Sequence, residues 1–401
     1  MAISSDKIPA NGAGISTTGV NGHFNNVQPD GRVSEENHGQ IPETNGSSDS
    51  TVKSGLQDII LIDELPRETW SMGAAIRPNG DMLLPRLNGP ELFSTQHPKT
   101  HSNRSPSSEP KLIHSFPDAT SVFNICRLKN TGREEYAVLT AIVDLETPEV
   151  YNTAVWRVVP STGDATEEIK PEVTKIADIP EAQLCIGMTS ASDRILLVAD
   201  SGAGCIYRVD VETGTLSIFH GDESMRPATK KDALGISRIR ILGNYLFYTN
   251  TSRGTFCRLP VRWTEDGQDL EPAGACETVA RGLANADGMV ITRDGAAAYI
   301  DSYISGTLWK VEIDFETGSG VVHTLRERIP DPTGMELVYA EQDQEPTLFV
   351  VCCGCLGQEW RDRVGAKWLD MLHVDRSIKV TVEIFITYEP NPDYILGECE
   401  N

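Results

Sequence analysis

The chain has 401 residues, of which 39% are hydrophobic, and a formal net charge of −23 at pH 7. Such an acidic chain argues against nucleic-acid and anionic-membrane partners, because both require a basic face. No apolar run approaches the roughly 20 residues needed to span a bilayer.

Residues 1–52 are predicted to be a disordered N-terminal segment. They are rich in Gly, Asn, Ser and Asp and have few large apolar side chains, so they cannot bury enough surface to offset the entropy of ordering. The N-terminus lacks the basic and apolar regions of a secretory signal. The nine cysteines have the irregular spacing typical of reduced thiols. We therefore expect a cytoplasmic protein.

A sequence pattern typical of three short strands is repeated along residues 53–401. It is clearest at residues 185–210 and returns at 72–93, 235–259 and 287–311. The period is about 50 residues, at the upper end of the range for propeller blades. The sequence therefore predicts an all-β fold, a six-bladed β-propeller formed by residues 53–401.

The ring is predicted to be closed by an N-terminal strand. An apolar run at residues 56–65 has no blade of its own. Pairing it with the last strand, residues 380–386, would leave no exposed sheet edge.

The meander brings two sets of residues to one mouth of the ring. The first set begins the inner strands: Met72, Asn124, Ile186, Ser237, Asp287 and Met335. The second set forms the loops between second and third strands: Leu87-Asn88, Asp200-Ser201, Asn250-Thr251, Asp301-Ser302-Tyr303 and Cys352-Cys353. Insertions at residues 143–153 and 354–367 emerge on the same side and are candidates for a lid.

Several phrases resemble one known family. They include TWSMGAAIRPNGDMLL, KIADIPEAQLCIGMT, LGISRIRILGNYLFYTNTSRGTFCRLPV and ADGMVITRDG. Over roughly residues 55–390 the chain resembles fungal six-bladed propellers related to gluconolactonase and regucalcin. In the hydrolytic relatives, one Glu, two Asn and one Asp hold a divalent metal on the axis.

The resemblance implies that this metal site is lost. The Glu position corresponds to Met72, the two Asn positions to Ile186 and Ser237, and only the Asp persists, as Asp287. One carboxylate beside a thioether and an alkyl group does not supply the several ligands that calcium or zinc requires. We expect no metal and no cofactor. The sequence Cys352-Cys353-Gly354-Cys355 is not a predicted metal site either, because no second Cys or His cluster has the required spacing.

The apolar mouth is similar to that of one fungal subgroup, the hetero-Diels–Alderases of tropolone–sesquiterpenoid biosynthesis. The resemblance implies that the protein joins a tropolone-derived o-quinone methide to a humulene-type terpene. Such a reaction needs two reactants held face to face, a hydrogen-bond donor at the quinone-methide oxygen, and a dry pocket. The expected partners are small apolar substrates.

The residues expected to serve this reaction are of two kinds. The candidate catalytic donors are Ser237, Arg238, Tyr303, Asn124 and Asn250. The candidate substrate-binding residues are Met72, Ile186, Asp287, Met335, Trp360 and Trp368. Each has a structural alternative: Arg238 could form a salt bridge, the apolar residues could plug the axis, the tryptophans could pack a loop, and Asp287 could cap a strand.

Two other functions remain open from the sequence. One is a metal-dependent, lactonase-type hydrolase in which Asp287 has recruited Asp200 and Asp301 as ligands. The other is a non-catalytic binding module, since propellers often serve as platforms and a fold does not determine a function.

Overall fold

The computed structural model describes residues 58–64, 70–95, 110–129, 131–144, 149–160, 170–329, 331–339, 346–352 and 381–386. The predicted disordered segment, residues 1–52, lies outside them. The only helix among the described residues is a single 3₁₀ turn, Glu223–Met225. No helix among the described residues is long and apolar enough to cross a lipid bilayer. The prediction of an all-β propeller is confirmed.

The described strands form six antiparallel sheets, which we number in chain order. The first strand, β1 (Asp58–Glu64), belongs to sheet 6, and sheet 1 contains β2 (Ala75–Ile76), β3 (Met82–Pro85), β4 (Glu91–Thr95) and β5 (Lys111–Ser115). Sheet 2 contains β6 (Ser121–Arg127), β7 (Tyr136–Asp144), β8 (Glu149–Val159) and β9 (Glu172–Asp178). Sheet 3 contains β10 (Cys185–Ser190), β11 (Ile195–Asp200), β12 (Cys205–Asp210) and β13 (Leu216–Gly221).

The second half of the ring follows the same plan. Sheet 4 contains β14 (Ile236–Leu242), β15 (Tyr245–Asn250), β16 (Thr255–Trp263), β17 (Leu270–Pro272) and β18 (Glu277–Arg281). Sheet 5 contains β19 (Ala286–Ile291), β20 (Ala297–Ser302), β21 (Thr307–Asp314) and β22 (Ser319–Arg326). Sheet 6 combines β23 (Pro332–Val338), β24 (Thr347–Cys352) and β25 (Thr381–Ile386) with β1 (Asp58–Glu64).

Sheet 6 joins the two ends of the described chain. β1 pairs antiparallel with β25, from Asp58 opposite Ile386 to Glu64 opposite Thr381. This pairing is the closure expected from the sequence. It removes an unpaired edge, which would otherwise offer backbone hydrogen bonds to other chains.

The sheets form a ring because each inner strand contacts the next. β2, β6, β10, β14, β19 and β23 lie side by side in this order, and β23 returns to β2. Alternate residues of each strand point to opposite faces of its sheet, so adjacent sheets share apolar cores. Tyr136, Tyr248 and Phe349 are among the largest fully buried side chains. The packed cores leave the inner strands to surround a common axis.

Candidate functional site

Each inner strand begins with a β-bulge, in which one extra residue is inserted into the strand. In sheet 3 the register shifts between Cys185 and Gly187, so Ile186 is inserted opposite β11. Sheets 2, 4, 5 and 6 show the same shift, and sheet 1 shows it after the bridge between Ser71 and Arg86. A β-bulge re-aims the local backbone. Carbonyl groups at these positions can therefore face the axis.

The bulges define two rings of equivalent residues around the axis. The first ring holds the first residue of each bulge: Met72, Phe123, Ile186, Ser237, Asp287 and Thr333. The second ring holds the residue that follows: Gly73, Asn124, Gly187, Arg238, Gly288 and Gly334. Four of these six are glycines, so two long side chains share the space that the others leave.

This register corrects two predicted positions. Asn124 belongs to the second ring, and Phe123 takes the position predicted for it. Met335 is packed in the core between sheets 5 and 6, and Thr333 takes its place in the first ring. Both errors arise because the bulge inserts a residue that the strand pattern does not reveal.

Arg238 lies on the axis and is held by backbone carbonyls from three other sheets. The residue is 3% exposed. Its Nη1 donates to the carbonyl of Ile186 at 2.7 Å, and its Nη2 donates to the carbonyl of Thr333 at 2.8 Å and to that of Met72. Since arginine stays protonated in proteins, the axis carries a fixed positive charge.

Asn124 supports the same arrangement. Its Nδ2 donates to the carbonyl of Ile186 at 2.7 Å, so that carbonyl accepts from both Asn124 and Arg238. Its Oδ1 accepts the backbone N–H of Ile125 at 2.8 Å. Glycine is required nearby, because a Cβ on Gly187 would lie 2.0 Å from the Ser237 carbonyl oxygen.

Two buried carboxyl groups face this guanidinium at longer range. Asp287 is 4% exposed and accepts a hydrogen bond from the Ser237 hydroxyl at 2.6 Å. Asp301 is fully buried, and its Oδ1 accepts the Gly288 N–H at 2.7 Å. Within the described residues its Oδ2 has no hydrogen-bond partner.

The two carboxyl groups differ in their charge state. Burial raises the pKa of Asp287, although Arg238 and the Ser237 hydroxyl oppose that shift. Burial raises the pKa of Asp301 well above its ordinary value, and the nearby charge of Asp287 raises it further. Burial lowers the pKa of Arg238, while both carboxylates raise it. We therefore assign the proton to Asp301 and the negative charge to Asp287.

Tyr303 is the donor left available at the mouth. The residue is 9% exposed and packs in the same apolar cluster as Met72 and Ile186. Its hydroxyl forms no hydrogen bond with the described residues. Burial, followed by the charge of Asp287, raises the pKa of Tyr303. The hydroxyl therefore stays protonated at neutral pH and can donate.

Other predicted donors are engaged in structural hydrogen bonds. Ser237 is fully buried and donates to Asp287. Asn250 donates to the carbonyls of Ser224 and Arg226, at 2.8 and 2.9 Å, and so holds the 3₁₀ turn in place. Both Asn250 donor hydrogens are thus occupied, and its predicted role as a donor to substrate is replaced by a structural one.

Asp200 is also a loop-holding residue. Its carboxylate accepts the backbone N–H groups of Gln183, Leu184, Gly202 and Ala203 at 2.8–3.1 Å. A carboxylate so occupied is a poor metal ligand. Trp360, Trp368 and the insertion at residues 354–367 lie outside the described residues and stay predictions. The other predicted lid belongs to a hairpin, since β7 and β8 pair as far as Asp144 and Glu149.

The axis does not fit a divalent metal ion. Calcium takes six to eight oxygen ligands, whereas the first ring offers one carboxylate and two hydroxyls beside Met72, Phe123 and Ile186. The carbonyls of Met72, Ile186 and Thr333 already accept hydrogen bonds from the guanidinium of Arg238. A second cation at this place would also be repelled by the charge of Arg238.

Known proteins resemble the chain in fold only. No family model matches it, and no curated protein matches its sequence.

Among solved structures, a luciferin-regenerating enzyme has a TM-score of 0.52 and 10% identity, with 82% of this chain and 94% of that chain covered. Regucalcin from Agrobacterium tumefaciens, a calcium-binding protein, has a TM-score of 0.48 and 14% identity, with 84% and 98% covered. The PQQ-bound aldose sugar dehydrogenase of Streptomyces coelicolor has a TM-score of 0.49 and 10% identity, with 82% and 98% covered.

Sequence reasoning missed Phe123 and Thr333 and gave Asp301 only a metal-binding alternative. The position of Asp301 in its strand could have identified it from the sequence. It occupies the strand position that Ala199 and Thr249 occupy in other sheets. A carboxyl group there, in an otherwise apolar strand, indicates a buried titratable group near the axis.

Removing the axial cation should destabilise the fold. In Arg238→Met, the carbonyls of Met72 and Thr333 lose this donor, at about 1–3 kcal/mol each, so the free energy of unfolding should fall by about 3–5 kcal/mol. Urea unfolding measures this change. The control is Arg262→Met, which breaks a pair with Glu271 whose side chains are 72% and 58% exposed and should cost about 1 kcal/mol or less. Equal losses in the two variants would contradict the axial role.

Replacing Asp301 by Asn should remove a pH dependence of stability. The folded-state pKa of Asp301 is raised, so the stability gained from its proton is complete below the unfolded pKa of about 3.9 and is lost as pH rises toward the folded pKa. Relative to wild type, Asp301→Asn should become progressively more stable as the pH rises above about 4. Urea unfolding across this range tests the sign, and parallel stability profiles would contradict the assignment of the proton to Asp301.

Proposed function

We propose that the protein is a metal-independent hetero-Diels–Alderase that joins a tropolone-derived o-quinone methide to a humulene-type sesquiterpene in fungal meroterpenoid biosynthesis. The observation that carries this proposal is Arg238, whose guanidinium occupies the axis and donates to the carbonyls of Met72, Ile186 and Thr333. A hydrolase of the related family would depend on that metal. A cycloaddition does not, since it requires no activated water.

The lining of the mouth supports apolar reactants. Met72, Phe123 and Ile186 supply three of the six residues in the first ring. Each is at most 4% exposed and packs in the same apolar cluster as Tyr303, and we propose that together they form the floor of the mouth. Two apolar rings stacked on this floor would lose their translational and rotational entropy on binding and not in the reaction step. Holding them together in this way can lower the activation barrier by several kcal/mol.

Tyr303 is the proposed catalytic donor. In the reaction, the C=C–C=O unit of the quinone methide adds across an alkene of the terpene, forming one C–C bond and one C–O bond with no leaving group and no net proton transfer. A hydrogen bond from the Tyr303 hydroxyl to the quinone-methide oxygen would stabilise the negative charge that develops there. The raised pKa of Tyr303 suits this role because the group donates without losing its proton.

The charge of Arg238 is proposed to act at a distance. Its N–H groups are occupied by carbonyls, so it is a positioning residue and not a donor to substrate. The positive potential along the axis would favour the electron-rich oxygen of the quinone methide facing inward.

Replacing Tyr303 by Phe should slow the reaction. The loss of one preorganised donor costs 10²–10³ in rate where a full oxyanion forms. Because the charge that develops here is partial, we expect a decrease of about 10- to 100-fold. Product yield and diastereomer ratio from a quinone-methide precursor and humulene measure it, against an enzyme-free reaction.

The matched control is Tyr339→Phe. Tyr339 accepts the Arg293 N–H at 2.8 Å on the opposite face of the ring, and its loss should leave the rate unchanged. An unaltered rate in Tyr303→Phe would contradict the proposed donor. A wild-type rate equal to the enzyme-free background would favour the non-catalytic binding module.

Calcium should neither bind nor activate the protein. The axial residues do not form an oxygen cage, so added calcium should leave both the unfolding temperature and the turnover of the wild type unchanged. Calorimetric titration and activity with and without about 1 mM calcium test this. Stoichiometric calcium binding that disappears in Asp287→Asn would favour the lactonase-type hydrolase.

A further inference from the structure

A second cluster of chemically distinctive side chains lies away from the axis, where sheets 3 and 4 meet. It contains His220 at the end of β13, Asp222 just beyond it, and Cys276 directly before β18. One potential ligand atom from each residue lies within 4.8 Å of the other two. All three residues are partly exposed, so a solvated ion could reach them.

The distances suit a tetrahedral transition-metal site. Cys276 Sγ lies 3.7 Å from His220 Nε2. For Zn–S and Zn–N bonds of about 2.3 and 2.0–2.1 Å at a tetrahedral angle, the sulfur and nitrogen lie about 3.6 Å apart. The two atoms therefore already have nearly the spacing that a shared zinc ion would impose.

Asp222 is oriented by a hydrogen-bond chain that reaches into the core. Its Oδ1 accepts the N–H and the hydroxyl of Ser224 at 2.8 and 2.5 Å. The Ser224 hydroxyl in turn lies 2.6 Å from the hydroxyl of Tyr248, which is fully buried. The Oδ2 of Asp222 has no hydrogen-bond partner among the described residues. Such outer hydrogen bonds commonly fix a ligating carboxylate.

The donor set selects the class of metal. Sulfur and imidazole nitrogen favour zinc-class ions, whereas calcium and magnesium take oxygen. A thiolate, a carboxylate and a neutral imidazole together balance a charge of +2. Three protein ligands leave the fourth tetrahedral position for water.

We propose that His220, Asp222 and Cys276 form a zinc-class metal site that clamps the outer edges of sheets 3 and 4. Binding forms the metal–sulfur, metal–nitrogen and metal–oxygen bonds and releases water from the ion and the thiol proton to solvent. The site is separate from the axis and independent of the proposed cycloaddition.

The test uses the full chain after treatment with a chelator, with Co²⁺ as the spectroscopic probe. One equivalent should give tetrahedral d–d bands and a thiolate-to-cobalt charge-transfer band, and Zn²⁺ should bleach both. Cys276→Ser should abolish the charge-transfer band, and Ser224→Ala should weaken Co²⁺ binding about tenfold or more while all three ligands remain. Zn²⁺ should raise the unfolding temperature of the wild type but not of Cys276→Ser.

The control is the double variant Cys353→Ser/Cys355→Ser, because those two thiols belong to the cysteine cluster Cys352-Cys353-Gly354-Cys355. It should keep the spectrum. A band that persists in Cys276→Ser, or disappears in the double variant, would overturn the proposal, as would an octahedral spectrum in the wild type. If Cys276→Ser does not fold, His220→Asn replaces it and should lose the tetrahedral d–d bands.

Discussion

The arrangement at the axis depends on one buried guanidinium. Arg238 draws carbonyls from sheets 1, 3 and 6 to a side chain of sheet 4, so four sheets meet through a single group. These carbonyls face the axis because a bulge begins each inner strand. Buried acceptors without donors are costly, and a propeller axis lined by backbone needs either water, a metal or a cationic side chain. This chain uses the side chain.

That choice determines the electrostatics of the mouth. A buried arginine needs negative charge within range, and Asp287 supplies it without direct contact. Two carboxylates in so dry a place cannot both ionise cheaply. One therefore keeps its proton, and the unpartnered oxygen of Asp301 follows from the narrow space beside Gly288, where a Cβ would lie 2.2 Å from it. Gly288 is thus required by the carboxyl group of Asp301, and Gly187 by the backbone carbonyl of Ser237.

Much of the fold could be predicted from the sequence because its signals are local. Strand alternation and polar turns identified the inner strands, and the unassigned apolar run at residues 56–65 indicated the closure seen between β1 and β25. Ile186, Ser237 and Asp287 were placed correctly at the axis, since each begins a clear strand.

The remaining features of the site depend on contacts between distant segments. The positions of Asn124 and Met335 were wrong because a bulge shifts the register without altering the pattern of apolar residues. The destination of the Arg238 side chain depends on glycines in other sheets, and no local pattern encodes it. The meeting of His220 with Cys276 likewise requires that sheets 3 and 4 be packed together.

The closure between β1 and β25 has a consequence for biosynthesis. Because these strands come from opposite ends of the described chain, a polypeptide emerging from the ribosome cannot complete the ring until its last strand is translated. Until then β1 has no strand to pair with, and β24 exposes the unpaired backbone groups of its edge to other nascent chains. A chain that lacks β25 would therefore leave both β1 and β24 with an unpaired edge, which favours association with other chains over a working ring.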